Sequence, residues 1–157
     1  MLIPTTRDPV AWLSALGVTD APLTRAGVTT ALRFFDTRMQ TLPAAMRFKF
    51  LKGIDLHKPV RETTLAPPQV ISAFRKSNEG PYRLFYTKAG TSVSLVGVNP
   101  AEREFRRFRV LKPVIALESR VCGARDVWSD ASVPFIASGG GIQYIVPDSE
   151  DCLEVEQ

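Results

Sequence analysis

The hydrophobic period of the sequence changes at Gly53, and this change constrains the fold more than any other feature. Between about residues 24 and 40, apolar residues recur at helical spacing, at Val28, Ala31, Leu32, Phe35 and Met39. After Gly53, short runs rich in Val, Ile, Phe and Tyr alternate with turn residues. The sequence therefore predicts an α+β protein, with a small N-terminal helical layer followed by a β-rich body.

Local signals predict three helices in the N-terminal segment. Asp8 and Pro9 are typical of a helix start, with Asp8 as the cap and Pro9 in the first helical position, and Gly17 is typical of a helix end. A second helix is expected from about Thr24 to Gln40. A third, shorter helix is expected after Pro43, and it ends at Gly53.

The remainder of the chain predicts about six strands, in the runs VRETTLA, QVISAFRK, YRLFYTK, SVSLVGV, RRFRVLKPVIALESRV and IQYIVP. We expect a single domain, with a helical segment over 1–52, a β-rich catalytic body over 53–147 and an acidic tail over 148–157. The 157 residues are enough for one core. The apolar runs are short and broken by charge, so we expect no membrane span, and the N-terminus has no signal-peptide pattern.

Charge is distributed unevenly along the chain. Twenty basic and eleven acidic residues precede position 148, and five acidic residues crowd the last ten positions. A basic body attracts anions such as a dinucleotide, a nucleic acid or an acidic protein, although a solvated basic surface has the same composition. The sequence leaves open whether the acidic tail is disordered or folds back onto the basic body.

Several familiar catalytic constellations are absent from the sequence. His57 is the only histidine, and no G-x-S-x-G motif accompanies it, which argues against a Ser-His-Asp hydrolase. The two cysteines, Cys122 and Cys152, are far apart and lack histidine neighbours, so we expect two free thiols and no metal site. Neither a P-loop nor a G-x-G-x-x-G motif after a strand is present.

Three segments remain unusual. In the first, three glycines (139–141) lead directly into the apolar strand with Gln143 and Tyr144, which suits either close approach of the backbone to a ligand or a flexible hairpin turn. In the second, Asp126 and Trp128 lie between two β segments. Asp126 either stands beside a cationic reacting centre or caps a turn, and Trp128 is either functional or part of the core.

The third segment combines arginines with a small polar turn. Arg75 or Arg83 can hold a pyrophosphate by forked hydrogen bonds, unless both simply point to solvent. The turn with Thr91 and Ser92 offers backbone N–H groups and hydroxyls to a phosphate or a ribose.

Taken in order, these segments resemble a known family. The runs are GIDLHKPV, AFR, GPYRLFYTKAGTS, LVGV, FRVLKPVIALES, DVWS and GGGIQY, over roughly residues 53–147. In this order they are similar to the NAD(P)⁺ glycohydrolase toxin domains of bacterial type VI secretion and other polymorphic toxin effectors. GGGIQ and the arginine–aromatic–AGT region are more distantly similar to the tuberculosis necrotizing toxin family. The resemblance implies an ADP-ribosyltransferase-like body that cleaves the bond between nicotinamide and ribose.

By matching segments, the resemblance implies that Asp126 and Gln143 are the catalytic pair and that Arg75 contacts the dinucleotide. His57 lies in a different segment from the histidine of the necrotizing relatives. Nicotinamide leaves as a neutral ring, so no general acid is needed, and the transition state has oxocarbenium character. Asp126 would stabilise the cation, Gln143 would bond a ribose hydroxyl or the nicotinamide amide, and Trp128 or Tyr144 would stack on the ring.

NAD⁺ or NADP⁺ is then a substrate, and no cofactor or metal is expected. The resemblance also implies a secreted effector domain that acts in the cytoplasm of a target cell, and we expect a cognate, acidic immunity protein. One alternative is a mono-ADP-ribosyltransferase, although the stretch Gln143-Tyr144-Ile145 lacks the glutamate that those enzymes usually show. A second alternative is a non-enzymatic basic binding module, for which FRRFRV is the one candidate surface; we do not expect nucleic acid as a partner.

Overall fold

Helices occupy the N-terminal third of the chain and strands dominate the remainder, which confirms the predicted α+β class. The computed structural model describes residues 2–76, 78, 80–92, 95, 103–126 and 135–156. Its helices are α1 (Pro9–Leu16), α2 (Pro22–Arg38), α3 (Ala44–Lys52) and the short α4 (Ser149–Cys152). Its strands are β1 (Arg61–Leu65), β2 (Val70–Lys76), β3 (Phe85–Lys88), β4 (Arg103–Val110), β5 (Val114–Arg120), β6 (Ala124–Asp126), β7 (Phe135–Ala137), β8 (Ile142–Ile145) and β9 (Leu153–Val155).

Capping residues set the boundaries of α1 as the sequence predicts. The side chain of Asp8 accepts a hydrogen bond from the backbone N–H of Val10 at 3.0 Å, and Pro9 occupies the first helical position. Gly17 ends the helix with a φ of 70°, the left-handed conformation that glycine adopts without steric cost. No helix in the described part of the chain is long and apolar enough to cross a membrane.

Helices α1, α2 and α3 cover one face of the sheet, which we call the helix face. Leu117 of β5 and Ile145 of β8 are fully buried there against residues of all three helices. The ring of Phe50 on α3 meets that of Phe85 on β3 edge to face, with centroids 4.9 Å apart. The buried helical side chains of this first core are Trp12, Leu13, Val28, Ala31, Leu32, Phe34, Phe35, Phe48, Phe50 and Leu51.

The main sheet has seven strands in the order β1-β5-β8-β3-β2-β4-β9, and every described pairing is antiparallel. Strands β6 and β7 form a separate two-stranded sheet. The prediction of about six strands was too low. The run 106–121 divides into β4 and β5 on either side of Pro113, which lacks the N–H that a ladder needs, and β6, β7 and β9 lie outside the predicted runs. The predicted strand over 92–98 lies almost wholly outside the described residues.

The other face of the sheet closes on itself and forms a second core. Leu65 of β1 and Leu153 of β9 come from strands at opposite edges of the sheet, yet both are buried in one apolar cluster with Tyr86, Phe108 and Tyr144. A flat sheet would hold its two edge strands far apart, so the sheet must curl around this cluster. We call this concave side the core face.

The acidic tail completes the sheet. Residues 149–155 form α4 and β9, and β9 pairs with β4, so that Leu153 faces Val110. Glu154 bonds Arg109 at 2.9 Å, and Glu156 approaches Arg107 at 3.3 Å. Of the two possibilities that the sequence leaves open, the structure shows the tail folded back onto the basic strand.

Replacing Leu153 tests whether this tail belongs to the folded unit. Leu153→Ala removes a side chain that is 2% exposed, so we expect a loss of about 2–5 kcal/mol in the free energy of unfolding. Leu111→Ala is the matched control, because Leu111 is 49% exposed and its truncation should cost about 0.5 kcal/mol or less. Denaturant titration measures both, and equal midpoints for the two variants would contradict the packed tail.

Candidate active site

A row of polar side chains crosses the helix face of the sheet. The registers place Ser119 of β5 opposite Gln143 of β8, Gln143 opposite Thr87 of β3, and Thr87 opposite Ser72 of β2. Residues that face one another in antiparallel strands project to the same side, so these four side chains share one face. All four are buried, at 1–8% exposure, between apolar neighbours of the same strands. Buried polar residues in a line usually serve a network or a site.

Hydrogen bonds within the row hold its members in place. The amide Nε2 of Gln143 donates to Ser119 Oγ at 3.0 Å and to the carbonyl oxygen of Gly53 at 3.3 Å. Ser72 Oγ and Thr87 Oγ1 are 3.0 Å apart, and Thr87 Oγ1 also donates to the Ser72 carbonyl at 3.1 Å. The side-chain carbonyl Oε1 of Gln143 accepts no hydrogen bond from the described residues, which leaves an oriented acceptor at this position.

A cleft of about 570 Å³ opens above this row, within the size range of small-molecule sites. It lies where β2 and β3 separate: the two strands pair only at Ile71 with Lys88 and at Ser72 with Thr87. Gln143 and Thr87 both line the cleft. Its other lining residues come from α3, from 73–75 of β2, from 83–86, from the start of β4 and from 121–123, and include Lys49, Phe50, Lys52, Gly53, Phe74, Arg83, Arg103 and Cys122.

The cleft is basic. Its described lining includes Lys49, Lys52, Arg75, Arg83 and Arg103, and no Asp or Glu is among the described residues that line it. Low-dielectric walls with one sign of charge concentrate the field inside a cleft. An anionic ligand with an apolar or aromatic part is therefore the chemistry that this site suits.

Arg75 lines the cleft and also spans the gap between β2 and residues 81–85. Its guanidinium donates from Nε to the carbonyl oxygen of Pro81 at 3.0 Å and from Nη2 to that of Phe85 at 2.7 Å. Its Cζ lies 4.9 Å from the centre of the Tyr86 ring, which makes a cation–π contact. The side chain is 8% exposed, so these contacts replace water around a buried charge. Arg75 thus joins β2 to the segment that leads into β3.

The three glycines approach the protein's own backbone. A side chain at Gly139 would meet the backbone of 121–123 at 2.6–2.7 Å, and one at Gly141 would lie 2.8 Å from the carbonyl of Leu95. Gly140 donates its N–H to Val121 at 2.8 Å, with a φ of 92°. Gly139 and Gly141 therefore let this segment pack against the protein's own backbone, including the stretch that carries Cys122 into the cleft, whereas a side chain at Gly140 would meet nothing within 4 Å.

The remaining predicted site residues lie in different places. Thr91 donates its hydroxyl to the Lys88 carbonyl and packs beside Gly141, and exposed Ser92 follows it; neither lines the cleft. Tyr144 is 4% exposed on the core face, on the opposite side of β8 from Gln143. Burial raises the pKa of its phenol, and the nearby charge of Glu118 raises it further, so the phenol stays protonated.

Asp126 and Trp128 complete the set. Asp126 ends β6, three residues after Gly123 of the cleft lining, and its side chain is outside the part of the chain that the structure describes. Trp128 lies wholly outside the described residues. The structure thus brings Gln143 and Arg75 to one cleft. Strand β6 begins directly after Gly123, which lines the same cleft.

Sequence reasoning missed the residues that accompany Gln143. Thr87, Ser72 and Ser119 are small polar residues inside apolar strands, and only the register reveals that they stand beside Gln143. The lysines of α3 were also missed. A single polar residue at an inward position of each strand was the available signal, because such a residue must find a hydrogen-bond partner.

Cys122 and Cys152 are both free, as predicted, with Cys122 exposed in the cleft lining. Cys152 is buried, and this burial raises the pKa of its thiol. Within the described residues, no cluster of three or more His, Cys, Asp or Glu side chains has the arrangement of a metal site.

Strand β4 contains FRRFRV, the candidate surface for a basic binding module. Phe108 is fully buried in the second core, whereas Phe105 is about half exposed. The side chains of Arg106, Arg107 and Arg109 form ion pairs with Glu104, Glu156 and Glu154 respectively. A nucleic-acid surface needs repeated exposed aromatics and available cations, so this strand does not favour that alternative.

The fold has counterparts among solved structures. A chain from the structure of Tse6 in complex with Tsi6 superposes with a TM-score of 0.69 at 20% identity, covering 87% of this chain and 98% of that one. The structure of Rhs1-CT in complex with its cognate immunity protein RhsI1 contains a chain with a TM-score of 0.47 at 19% identity, covering 68% of this chain and 82% of that one. No family model matches the sequence, and no curated protein matches it.

Two alanine substitutions separate the steric role of the glycines from their conformational role. Gly140→Ala places a side chain at positive φ in open space, which should cost about 1–2 kcal/mol. Gly139→Ala adds a backbone clash at a similar φ, so we expect a further loss of about 1–3 kcal/mol in the free energy of unfolding. Chemical denaturation of both variants checks this difference. If Gly139→Ala is no less stable than Gly140→Ala, the close packing against 121–123 is wrong.

Proposed function

We propose that this chain is an NAD(P)⁺ glycohydrolase toxin domain with an ADP-ribosyltransferase-like fold, which cleaves the bond between nicotinamide and ribose. The observation that carries the proposal is Gln143, whose amide is fixed in a basic cleft of about 570 Å³ with one acceptor unused by the described residues. The motif order of residues 53–147 resembles that family, and the fold similarity to a chain from the Tse6–Tsi6 structure agrees with it.

The chemistry needs few groups. The C–N bond to the pyridinium ring breaks as the ribose carbon becomes cationic, and the electron pair of that bond leaves with neutral nicotinamide. Water then attacks the ribosyl cation and loses a proton. A fixed acceptor and a nearby negative charge therefore suffice, provided that they are oriented before the reaction.

Within this proposal, the Oε1 of Gln143 accepts a hydrogen bond from a ribose hydroxyl or from the nicotinamide amide. Its Nε2 is committed to Ser119 and Gly53, and turning the amide over would set Oε1 against the Gly53 carbonyl, which has no proton to donate. Asp126, which follows the cleft-lining Gly123 by three residues, supplies the negative charge that stabilises the cation. The cations of the cleft attract the diphosphate.

A mono-ADP-ribosyltransferase would use the same dinucleotide with a different acceptor. The position two residues after Gln143 is Ile145, which is fully buried in the helix-face core, so no glutamate stands there to activate a protein side chain. This observation favours water as the acceptor and keeps the hydrolase as our proposal.

We further propose that a cognate immunity protein binds this domain in the producing cell, and that the domain acts in the cytoplasm of a target bacterium. The basic cleft suits an acidic inhibitor, because complementary charges speed association. Tse6 was solved in complex with Tsi6, and a two-protein complex of that kind is what we expect here.

Incubation with dinucleotide tests the activity directly. We expect the purified chain to release nicotinamide from NAD⁺ or NADP⁺, with free ADP-ribose or its phosphate as the second product, whether or not EDTA is present. Chromatography of the products measures both. Label from the dinucleotide that becomes attached to protein would identify a transferase, and intact dinucleotide after long incubation with excess protein would overturn the proposal.

Two variants test the assignment of the site. Asp126→Asn should lower kcat by about 10²–10³, the usual effect of losing one preorganised electrostatic group. Gln143→Ala should also lower turnover and raise KM, because a positioning amide is lost. The matched controls are Asp151→Asn on α4 and Gln40→Ala after α2, both of which change residues outside the cleft.

Melting temperatures on the same preparations separate catalysis from stability. A purely structural role predicts lower melting temperatures for the two site variants with normal turnover per folded molecule. Folded variants with wild-type rates would show that the chemistry lies elsewhere in the cleft.

A further inference from the structure

Lysines on the last two turns of α3 give the cleft a localised positive rim. Lys49 and Lys52 are three residues apart on one helix, so they lie on the same helical face. Both are exposed, and both line the cleft. Lys52 lies 5.8 Å from the centre of the Phe48 ring, a contact that leaves its positive charge unneutralised.

The ion pairs between described residues involve other cations of the chain and not these two lysines. The described ion pairs bind Arg7, Arg25, Arg47, Arg61, Arg106, Arg107 and Arg109 to carboxylates, and none of these residues lines the cleft. Neither lysine of the rim is in an ion pair with a described residue. The positive charge of the rim is therefore available to an anion, and like charges so close together repel until one arrives.

The two dinucleotides differ in the charge that would meet such a rim. In NAD⁺ the diphosphate carries two negative charges and the pyridinium carries one positive charge. NADP⁺ adds a 2′-phosphate, a monoester that carries about −1.5 to −2 at neutral pH. Arg83 and Arg103 also line the cleft.

Resting on the proposed function, we propose that the cleft prefers NADP⁺ to NAD⁺ and that Lys49 and Lys52 bind the 2′-phosphate. A phosphate monoester accepts hydrogen bonds from two ammonium groups at once, which a ribose hydroxyl cannot do with the same strength. In this proposal the rim recognises the adenosine half of the substrate.

Binding of the two reaction products isolates this preference from catalysis. ADP-ribose and ADP-ribose 2′-phosphate differ only in the phosphate and contain no bond to nicotinamide. Calorimetry with the intact chain should give a Kd at least about tenfold lower for the phosphorylated product, the effect of one charge-assisted hydrogen bond. The ratio should shrink between low and high salt, because the rim is exposed to solvent.

The double variant Lys49→Gln, Lys52→Gln should bring the two affinities to within about twofold of each other. Lys58→Gln is the matched control, because Lys58 is exposed and lies outside the cleft lining. If the lysines only support the end of α3, the double variant will lower the melting temperature and keep the ratio of affinities, which would overturn the proposal. Equal binding of both products by the unmodified chain would overturn it as well.

Hydrolysis provides an independent readout. If NADP⁺ has the higher kcat/KM and the double variant removes that advantage, both proposals are supported. If the chain binds the phosphorylated product more tightly but releases no nicotinamide, the preference stands and the glycohydrolase activity fails. If NAD⁺ is hydrolysed with a kcat/KM equal to or higher than that of NADP⁺, and the two products bind equally well, the glycohydrolase activity stands and the preference for NADP⁺ fails.

Discussion

The buried guanidinium of Arg75 is the interaction on which the cleft depends. Strands β2 and β3 pair at only two positions and then separate, which exposes backbone carbonyls that a continuous ladder would satisfy. Arg75 donates to the carbonyl of Phe85 in β3 and to that of Pro81 in the segment before it, and rests on the Tyr86 ring. A planar group with several donors in a fixed fork suits this task, whereas a lysine offers no such geometry. These contacts stabilise the gap between β2 and β3.

The segment before β3 is also fixed from the core face. The phenol of Tyr86 accepts a hydrogen bond from the N–H of Arg83 at 3.1 Å, and the hydroxyl of Ser149 donates to the carbonyl of Arg83 at 2.6 Å. Tyr82 in turn accepts from the N–H of Val155 at 3.1 Å. The C-terminal α4 and β9 therefore hold in place the chain that lines the cleft on the other side of the sheet. This coupling gives the acidic tail a role in the geometry of the candidate site.

The sequence predicted the helices because their signals are local. The cap at Asp8, the proline at position 9 and the glycine at 17 act within a few residues, and the structure has each of them in its expected role. The order of the strands could not be predicted in this way. β8 lies between β5 and β3, and β1 pairs with β5, so most neighbours in the sheet are distant in the chain. Register across such pairs depends on the packing of the whole sheet.

The candidate site shows the same division between local and distant information. Gln143 and Arg75 were named from their segments and both line the cleft, but the Thr87 that faces Gln143 depends on a register that no motif contains. The glycines were recognised as unusual, yet what they approach is Val121, Gly123 and Leu95, which adjoin them only in the folded chain. A motif can identify residues under unusual constraint, whereas the partner that imposes the constraint must come from the structure.

The alternation along β8 explains how one short strand serves both stability and chemistry. Ile145 and Gln143 point to the helix face, while Tyr144 and Val146 pack in the second core. Gln143 alone among the strand's own residues on the helix face is polar, and burying its amide would be unfavourable without the hydrogen bonds to Ser119 and Gly53. Those bonds remove the freedom of the amide to rotate, so Oε1 is held in one orientation before any ligand arrives. An acceptor fixed in this way needs no reorganisation when charge develops beside it, and the same contacts that make the buried glutamine tolerable also make it suited to catalysis.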